Sequence, residues 1–579
     1  MFFRTKKSGS RTYLQIVENR WEHRTVKQRV LATLGRLDEL QHSGQLAALL
    51  SSGARFADAV VLHAAQREGT LPTITTQRTG APLVFERLWT ETGSRAVIEK
   101  LLSERKYEFS VERAVFLTVL HRLFDPGSDR AAERWREDYR IDGVQGLELH
   151  QVYRAMAWLG EELAEQEQRG RTPFVARCMK DRVEEELFAY RRDLFSSLDL
   201  VFFDTTSIYF EGAGGKDLGR RGKTKDHRPD LPQMVVGVVV DAGGRPVCCE
   251  LWPGNTSDVK SLIPVVERLR QRFSIGRVCV VADRGMISRE VIRELEAEER
   301  GWLYILGARL RAYKEVRTQV LADPGPFEVV HPKSRIRKDP SPLQVKEVRI
   351  GGRRYVVCFN EDQAKKDAAD REAIAVSLRS QLKQGAKTLV GNKGYRKYLK
   401  VRAAAGFVID EEKLSVESRY DGIWVLRTNT ELCAAEVALK YKQLWMVEQV
   451  FRSMKSLLET RPIYHKRDET IRGHVFCSFL ALVLRKELQD RLSARGDVVE
   501  WADVIRDLDR VQDVEVGHNG KRFWLRTEAS GCSAKVFQAA GVALPPTVRS
   551  TPPAAPGPPS SPPPRSAKHG ATPPVRPRK

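Results

Sequence analysis

The clearest pattern of apolar and polar positions lies near the middle of the chain, where LVFFDTTSIYF, MVVGVVVD and VCCELWPG follow one another from Leu200 to Gly254. Short unbroken runs of β-branched and aromatic residues predict strands buried on both faces. The last two runs are joined at Asp241-Ala242-Gly243-Gly244, a hairpin turn sequence. Helical periodicity then takes over in SDVKSLIPVVERLRQRF, with Ser257 or Thr256 as its cap. The strand RVCVVADRG, the helix SREVIRELEAEER and the strand WLYILGARL complete a β-β-β-α-β-α-β order.

The same reading divides the rest of the chain. Residues 1–82 begin with TYLQIVENRWEHRTVKQRVLATLGR, whose alternation about a polar turn predicts a small basic hairpin. Residues 83–197 turn helical, as in ERAVFLTVLHRLF and HQVYRAMAWLGEELAEQ, and predict a helical domain ahead of a core whose first part is 198–310. Residues 311–421 carry short strand-like pieces (FEVVHP, QVKEVRI, RRYVVCFN) and a charged helical piece, and read as a β-rich insertion. The core pattern returns over 422–490 with GIWVLRTNT and the helical YKQLWMVEQVFRSMK, and a small unit follows at 491–544. Residues 545–579 hold 13 of the 28 prolines, six basic residues and no acidic ones, a composition that cannot bury a core and predicts disorder.

Charge narrows the partners. Ninety-seven Lys and Arg against 75 Asp and Glu give +22, and removing the six tail charges still leaves +16, so a polyanion such as nucleic acid is the expected partner. Residues 1–36 alone carry +7, which suits either a DNA-touching arm or a solvated edge sheet. The most apolar window, FCSFLALVL, is short and flanked by His474 and Arg485, and the first residues lack an apolar signal core, so a soluble intracellular protein without membrane contact is expected. Eight scattered cysteines without a CxxC pair argue against a zinc or disulfide framework.

Three acids stand out against this background. Asp204 and Asp283 each end an apolar run, where a carboxylate without a cation is costly to bury. Each is either a capped strand end, with Asp204 bonding the Thr205 and Thr206 amides, or a metal ligand. Glu448 lies seven residues after Tyr441 and seven before Lys455, which on one continuous helix puts all three on a single face beside Leu444 and Phe451. An acid and a lysine inside such a stripe are unusual, although an amphipathic helix bordering the core is the plainer account. Lys223, Lys225, His227 and Arg228 in GKTKDHRPD either hold phosphate or form a solvated loop, and Arg284 either orients DNA or pairs with an acid. His465 and His474 read as supporting or core histidines, and Glu211 and Asp258 are spare acids ranked below the three.

Tyr441, Leu444, Glu448 and Lys455 resemble the Y-x2-R-x3-E-x6-K signature of DDE transposases of bacterial insertion sequences, the insertion-sequence-four type superfamily, with Leu444 in place of the arginine. FFDTTSIYFEG, KDHRPDLPQMVVGVVVD, PGNTSD and ADRGM occur in the order and context such enzymes show. The resemblance implies an α/β fold with a ribonuclease H-like core, a mixed five-stranded sheet interrupted by a β-rich insertion. It implies Asp204, Asp283 and Glu448 as catalytic, metal-binding residues with two Mg²⁺ or Mn²⁺ ions, separated along the chain by 79 and 165 residues. Tyr441 and Lys455 would touch DNA phosphate; the phosphate grip of the signature arginine, which Leu444 does not provide, is absent or supplied by Lys442 or Arg452. The implied activity is binding of the terminal inverted repeats, DNA cleavage and strand transfer. The helical 83–197 segment would bind ends, and a homodimer would hold element ends and target DNA together at the bacterial nucleoid in the cytoplasm. A nuclease of the same core without strand transfer and a non-catalytic DNA-binding derivative are the competing readings.

Overall fold

The computed structural model describes residues 1–22, 25–54, 73–168, 175–191, 200–273, 278–297, 300–333, 340–384, 397–402, 406–518 and 521–551. The chain forms two units, one of Met1–Thr76, Asp513–Thr527 and Pro545–Lys579, the other of Gln77–Gln512 and Glu528–Leu544. The first begins with an antiparallel sheet of β1 (Phe2–Ser8), β2 (Arg11–Glu22) and β3 (Thr25–Arg36), followed by α1 (Leu37–His42), α2 (Gln45–Ala54) and β4 (Thr73–Arg78). The expected hairpin is therefore three strands. Nearly every β1 side chain is exposed, so no apolar alternation announces it, and its ladder from Phe2↔Val17 to Ser8↔Arg11 holds it through backbone bonds.

The second unit opens with six helices, α3 (Gly80–Glu91), α4 (Ser94–Leu102), α5 (Val111–Phe124), α6 (Asp129–Trp135), α7 (Leu149–Leu159) and α8 (Met179–Tyr190). All of α5 is buried, which fits a segment with no polar face.

Beyond them lies a nine-stranded mixed sheet. Its strands are β5 (Leu200–Tyr209), β6 (Gln233–Asp241), β7 (Pro246–Pro253), β8 (Cys279–Ala282), β9 (Leu303–Gly307), β10 (Glu328–His331), β11 (Leu343–Ile350), β12 (Arg353–Phe359) and, after the separate hairpin β13 (Leu399–Arg402) and β14 (Gly406–Ile409), β15 (Ile423–Thr428). They stand in the order β10-β11-β12-β15-β9-β8-β5-β6-β7. Only β5/β8 and β8/β9 run parallel. The fold is thus mixed α/β, but the five-stranded sheet expected from sequence has nine strands. Three of the four extra ones come from the stretch read as an insertion, because β12 pairs along its length with β15 and carries β11 and β10 with it. Strand partners of that kind are fixed by pairing in space, which a local apolar pattern does not encode.

Two helices cover one face of the sheet, α9 (Asp258–Phe273) and α10 (Arg289–Leu295), packing with Val201, Phe203, Val280 and Ala282. After the long α11 (Glu361–Gln384) and α12 (Glu411–Ser418), the helices α13 (Ala434–Lys442) and α14 (Trp445–Arg452) lie on the opposite face with Phe202, Val281 and Ile305. The 27-residue α15 (Asp468–Ala494) packs against α5 and α7, so the helical stretch shares one core with it. A Cβ on Gly473 would overlap the Met156 carbonyl, so glycine is what lets α7 and α15 approach. The chain ends with α16 (Trp501–Asp509), β16 (Gln512–His518), β17 (Lys521–Arg526), α17 (Ser533–Ala540) and β18 (Val548–Thr551), the strands ordered β18-β17-β16-β4. Disorder expected from Pro545 onward is corrected at Val548–Thr551, whose β-branched residues pair with β17, and 552–579 lie outside the described residues. No helix among the described residues is long and apolar enough to cross a membrane.

Candidate active site

The two aspartates come together through strand register. In the parallel ladder Phe203 stands opposite Ala282, so Asp204 and Asp283, the next residues on β5 and after β8, occupy adjacent positions. Side chains alternate along a strand, and Phe202 and Val281 point to the face carrying α13 and α14; Asp204 and Asp283 share that parity. Both sit at the carboxyl ends of the paired parallel segments, where open α/β sheets build their sites. Asp204 does not end its strand as expected: β5 runs on to Tyr209, because the β-branched and aromatic residues after it keep pairing with β6, and of the two expected amide bonds the structure shows the one from Thr205 to Asp204 Oδ1 at 2.7 Å. Burial raises the Asp204 pKa to about 6, with Asp283 and Asp258 adding to the rise and Lys225 and the Thr205 amide opposing it.

A third acid converges from the other face. Asp258, the first residue of α9, accepts the Thr205 hydroxyl at 2.7 Å, and its Oδ2 and that of Asp283 would each lie 3.9 Å from a Cβ placed on Gly285. The Lys225 ammonium reaches into this group. It donates to the Thr205 carbonyl at 2.5 Å and hydroxyl at 3.0 Å, and lies 3.6 Å from Asp258 and 3.9 Å from Asp204. Asp226, with only 4% of its side chain exposed, takes Lys455 at 2.7 Å and Arg461 at 3.0 Å. The end of β5 is further tied to that region by Glu211 N to Ile463 O at 3.0 Å and Ile463 N to Tyr209 O at 3.2 Å.

Tyr441, Glu448 and Lys455 do not ride on one helix. The chain breaks between α13 and α14 at Gln443 and Leu444, where tight bonds such as Val447 N to Leu444 O at 3.0 Å replace the regular ladder. It widens again into a π turn at Ser453–Leu457, closed by Leu458 N to Ser453 O at 3.0 Å. Tyr441 donates its hydroxyl to Asp283 Oδ1 at 3.0 Å, and burial beside that carboxylate raises its pKa. Gly307 at the end of β9 makes this approach possible, since a Cβ there would collide with the Tyr441 hydroxyl. Glu448 is exposed in the first turn of α14, the helix lying over β5 and β6, and its carboxylate makes no hydrogen bond or ion pair among the described residues. Lys455 is turned inward to Asp226, and burial with Arg461 and Lys225 nearby lowers its pKa.

The remaining basic residues divide. Arg452, Arg284 and Lys223 are exposed. Arg228 is paired with Asp230 at 2.9 Å, and Lys442 is half-buried with a lowered pKa, burial being the cause, near Cys358 of β12. Leu444 packs at the border of the core. Arg309, which no sequence signal marks, donates to the Arg284 and Gly285 carbonyls at 3.1 and 3.2 Å and braces the loop after Asp283. The role of Asp226 is equally silent in the sequence, because its two cations come from distant positions in the chain.

Oxygen-only donors at Asp204, Asp283 and Asp258 suit hard divalent ions. Among the described residues the one set of three His, Cys or acidic ligand atoms mutually within 4.8 Å is Asp129, His465 and His474; Asp204, Asp283 and Glu448 stand wider than that. Both ring nitrogens of His474 are already engaged, by Arg122 at 2.7 Å and the Thr460 carbonyl at 3.1 Å, so that set is a hydrogen-bonded network.

The family described as Transposase DDE domain matches residues 196–484, and the IS1634 family transposase, N-terminal domain matches residues 3–67. Among solved structures, a cryo-EM structure of a piggyBac transposase synaptic complex with hairpin DNA is similar at 11% identity and a TM-score of 0.33, covering 74% of this chain and 79% of that one. No curated protein sequence matches.

Proposed function

Because the chain is a DDE transposase of an insertion sequence, we propose that Asp204, Asp283 and Glu448 are the acids of its active site. The observation that carries this reading is the register of β5 and β8, which sets Asp204 and Asp283 side by side on the face over which the Glu448 helix lies. Divalent metal ions are the cofactors of this family. Asp204 and Asp283, with Glu448 across the cleft, would hold two Mg²⁺ or Mn²⁺ ions, which when bound supply activation of an attacking oxygen and charge relief at the leaving oxygen.

The residues around them have separate tasks. Tyr441 orients the Asp283 carboxylate through its hydroxyl. Asp226 holds Lys455 and Arg461 in one place beside the acids, as a cationic pair facing a DNA phosphate, while exposed Arg452 and Arg284 extend the grip. Leu444 contributes packing in place of a phosphate contact. The five strands β9-β8-β5-β6-β7 with their crossover helix α9 support a ribonuclease H-like core, to which β15 and β12 to β10 are added. The basic three-stranded sheet and the helical 83–197 segment would bind the inverted repeats. Two copies would act together, since two ends must be cut and joined to target DNA.

Asp204→Asn, Asp283→Asn and Glu448→Gln should each abolish Mn²⁺-dependent cleavage of end DNA without weakening end binding in a mobility-shift assay. Joined products in the wild-type reaction identify strand transfer. Wild-type cleavage by any one variant removes that residue from the active site.

A further inference from the structure

Lys225 is the cation nearest the acidic group, and its placement is specific. Its backbone amide donates to Ser207 Oγ at 2.7 Å, which fixes the loop against β5. Its ammonium is anchored on Thr205, with the carbonyl at 2.5 Å and the hydroxyl at 3.0 Å, and from there stands between Asp258 at 3.6 Å and Asp204 at 3.9 Å. The Thr205 hydroxyl in turn donates to Asp258, so one lysine and one threonine tie the β5 acid to the acid that opens α9. The next residue, Asp226, secures the loop on its other side through Lys455 and Arg461. Carboxylates from three segments repel one another unless a positive charge lies among them. In the protein alone, Lys225 supplies that charge.

We propose that Lys225 is a built-in counter-cation of this site: its ammonium holds the Asp204–Asp258 pair together in the metal-free protein and gives up that position when a divalent ion binds. Asp258 is then a fourth carboxylate of the site, and Lys225 a positioning residue whose charge competes with the ion for Asp204. The inference rests on the reading of Asp204 and Asp283 as metal-holding acids. It assigns no bond-making step to the lysine. Its consequence is directional, because a residue with only a structural role weakens ion binding when removed, whereas a competitor strengthens it.

Mn²⁺ binding to the full chain, without DNA, tests this by calorimetry or by the spin resonance signal of free Mn²⁺. Lys225→Gln should bind Mn²⁺ more tightly, by up to about fivefold if the pairing it removes is worth what a partly exposed ion pair contributes. Lys225→Arg, which keeps the charge, should stay near wild type. The Mn²⁺-induced rise in Tm should be larger in Lys225→Gln than in wild type. Unchanged or weaker binding by a folded Lys225→Gln overturns the proposal, while the loss of binding in Asp204→Asn and Asp283→Asn would leave the underlying reading intact. Undiminished binding in both aspartate variants overturns that reading and the proposal with it. Acetylation of wild-type Lys225, followed by mass spectrometry, needs no variant: the side chain is 33% exposed, and its labelling should rise when Mn²⁺ is added. Labelling that stays level or falls rejects displacement.

Discussion

His121 illustrates how one side chain fixes a pH window. It is buried in α5 against Trp135 with ring centroids 5.3 Å apart, and its Nε2 has no hydrogen-bond partner among the described residues. Burial, reinforced by Arg122, lowers its pKa from 6.5 to about 4. Between those values the unfolded chain binds a proton that the folded one refuses, so stability is full above pH 6.5 and falls as pH drops toward 4, by on the order of 3 kcal/mol in all. Denaturant unfolding at neutral and at mildly acid pH should show wild type losing about that much more than His121→Gln. Equal losses would refute the buried-histidine account. Asp204 shows the other side of what single residues disclose. Its two sequence readings are strand cap and metal ligand; Oδ1 takes the Thr205 amide within the continuing strand, and the other oxygen takes no hydrogen bond among the described residues, so an oxygen is left available. The apolar runs before Asp204 and Asp283 make the paired segments of β5 and β8 legible, but not that β5 continues past Asp204 to Tyr209. The chain distance between Lys225 and its two acids hides the clamp.

Between elements, the loop at 224–230 and the segment at 453–461 depend on one carboxylate. Asp226 neutralises Lys455 and Arg461 and is almost wholly buried, so Asp226→Asn leaves two neighbouring cations with no counter-charge. Removing one partner of such a buried group costs about 3 to 5 kcal/mol. Asp226→Asn should therefore lower the Tm by several degrees, and in Asp226→Asn/Lys455→Met, where one cation is also gone, much of that loss should be regained. A double variant no more stable than the single would place the destabilisation elsewhere. This pairing also explains which part of the site escapes the sequence. Seven-residue spacing reads correctly that Tyr441, Glu448 and Lys455 belong to one helical region, but not that the region is interrupted at Gln443–Leu444 and widened at Ser453–Leu457. The interruptions turn Tyr441 toward Asp283 and Lys455 toward Asp226, partners supplied by the turn after β8 and by the β5–β6 loop. Periodicity reports which face of a helix is apolar; it carries no information about a partner more than 150 residues away that bends it. The same holds for β10 to β12, whose strand character is legible and whose place in the central sheet is not.

Across the whole molecule the charge is unevenly spent. Lys180, Arg268 and Arg272 are buried, but they face Asp181, Glu184 and Glu250 in one closed ionic group linking α8, β7 and α9, and so add little to the outer field. Among the described residues ten buried Lys and Arg stand against eight buried Asp and Glu, so the interior accounts for little of the chain's +22. Exposed Lys6, Lys7 and Arg11 on the first sheet and Arg452, Arg284 and Lys223 around the site are part of that excess. Of the total, residues beyond Thr551 carry five positive charges, so a chain ending there keeps +17. If the described surface rather than the tail holds DNA, the salt dependence must survive truncation. Five or six phosphate contacts release enough counterions to weaken binding by roughly a hundredfold or more between about 50 and 200 mM salt. Both the full chain and the chain ending at Thr551 should show that steep decline for end DNA, measured as the slope of log affinity against log salt, with the truncated slope shallower by no more than the tail's own few contacts. A truncated protein whose affinity barely responds to salt would move the DNA grip off the folded surface and onto the tail. The basic loop beside Asp204, the Lys455–Arg461 pair and the first sheet would then need a different partner.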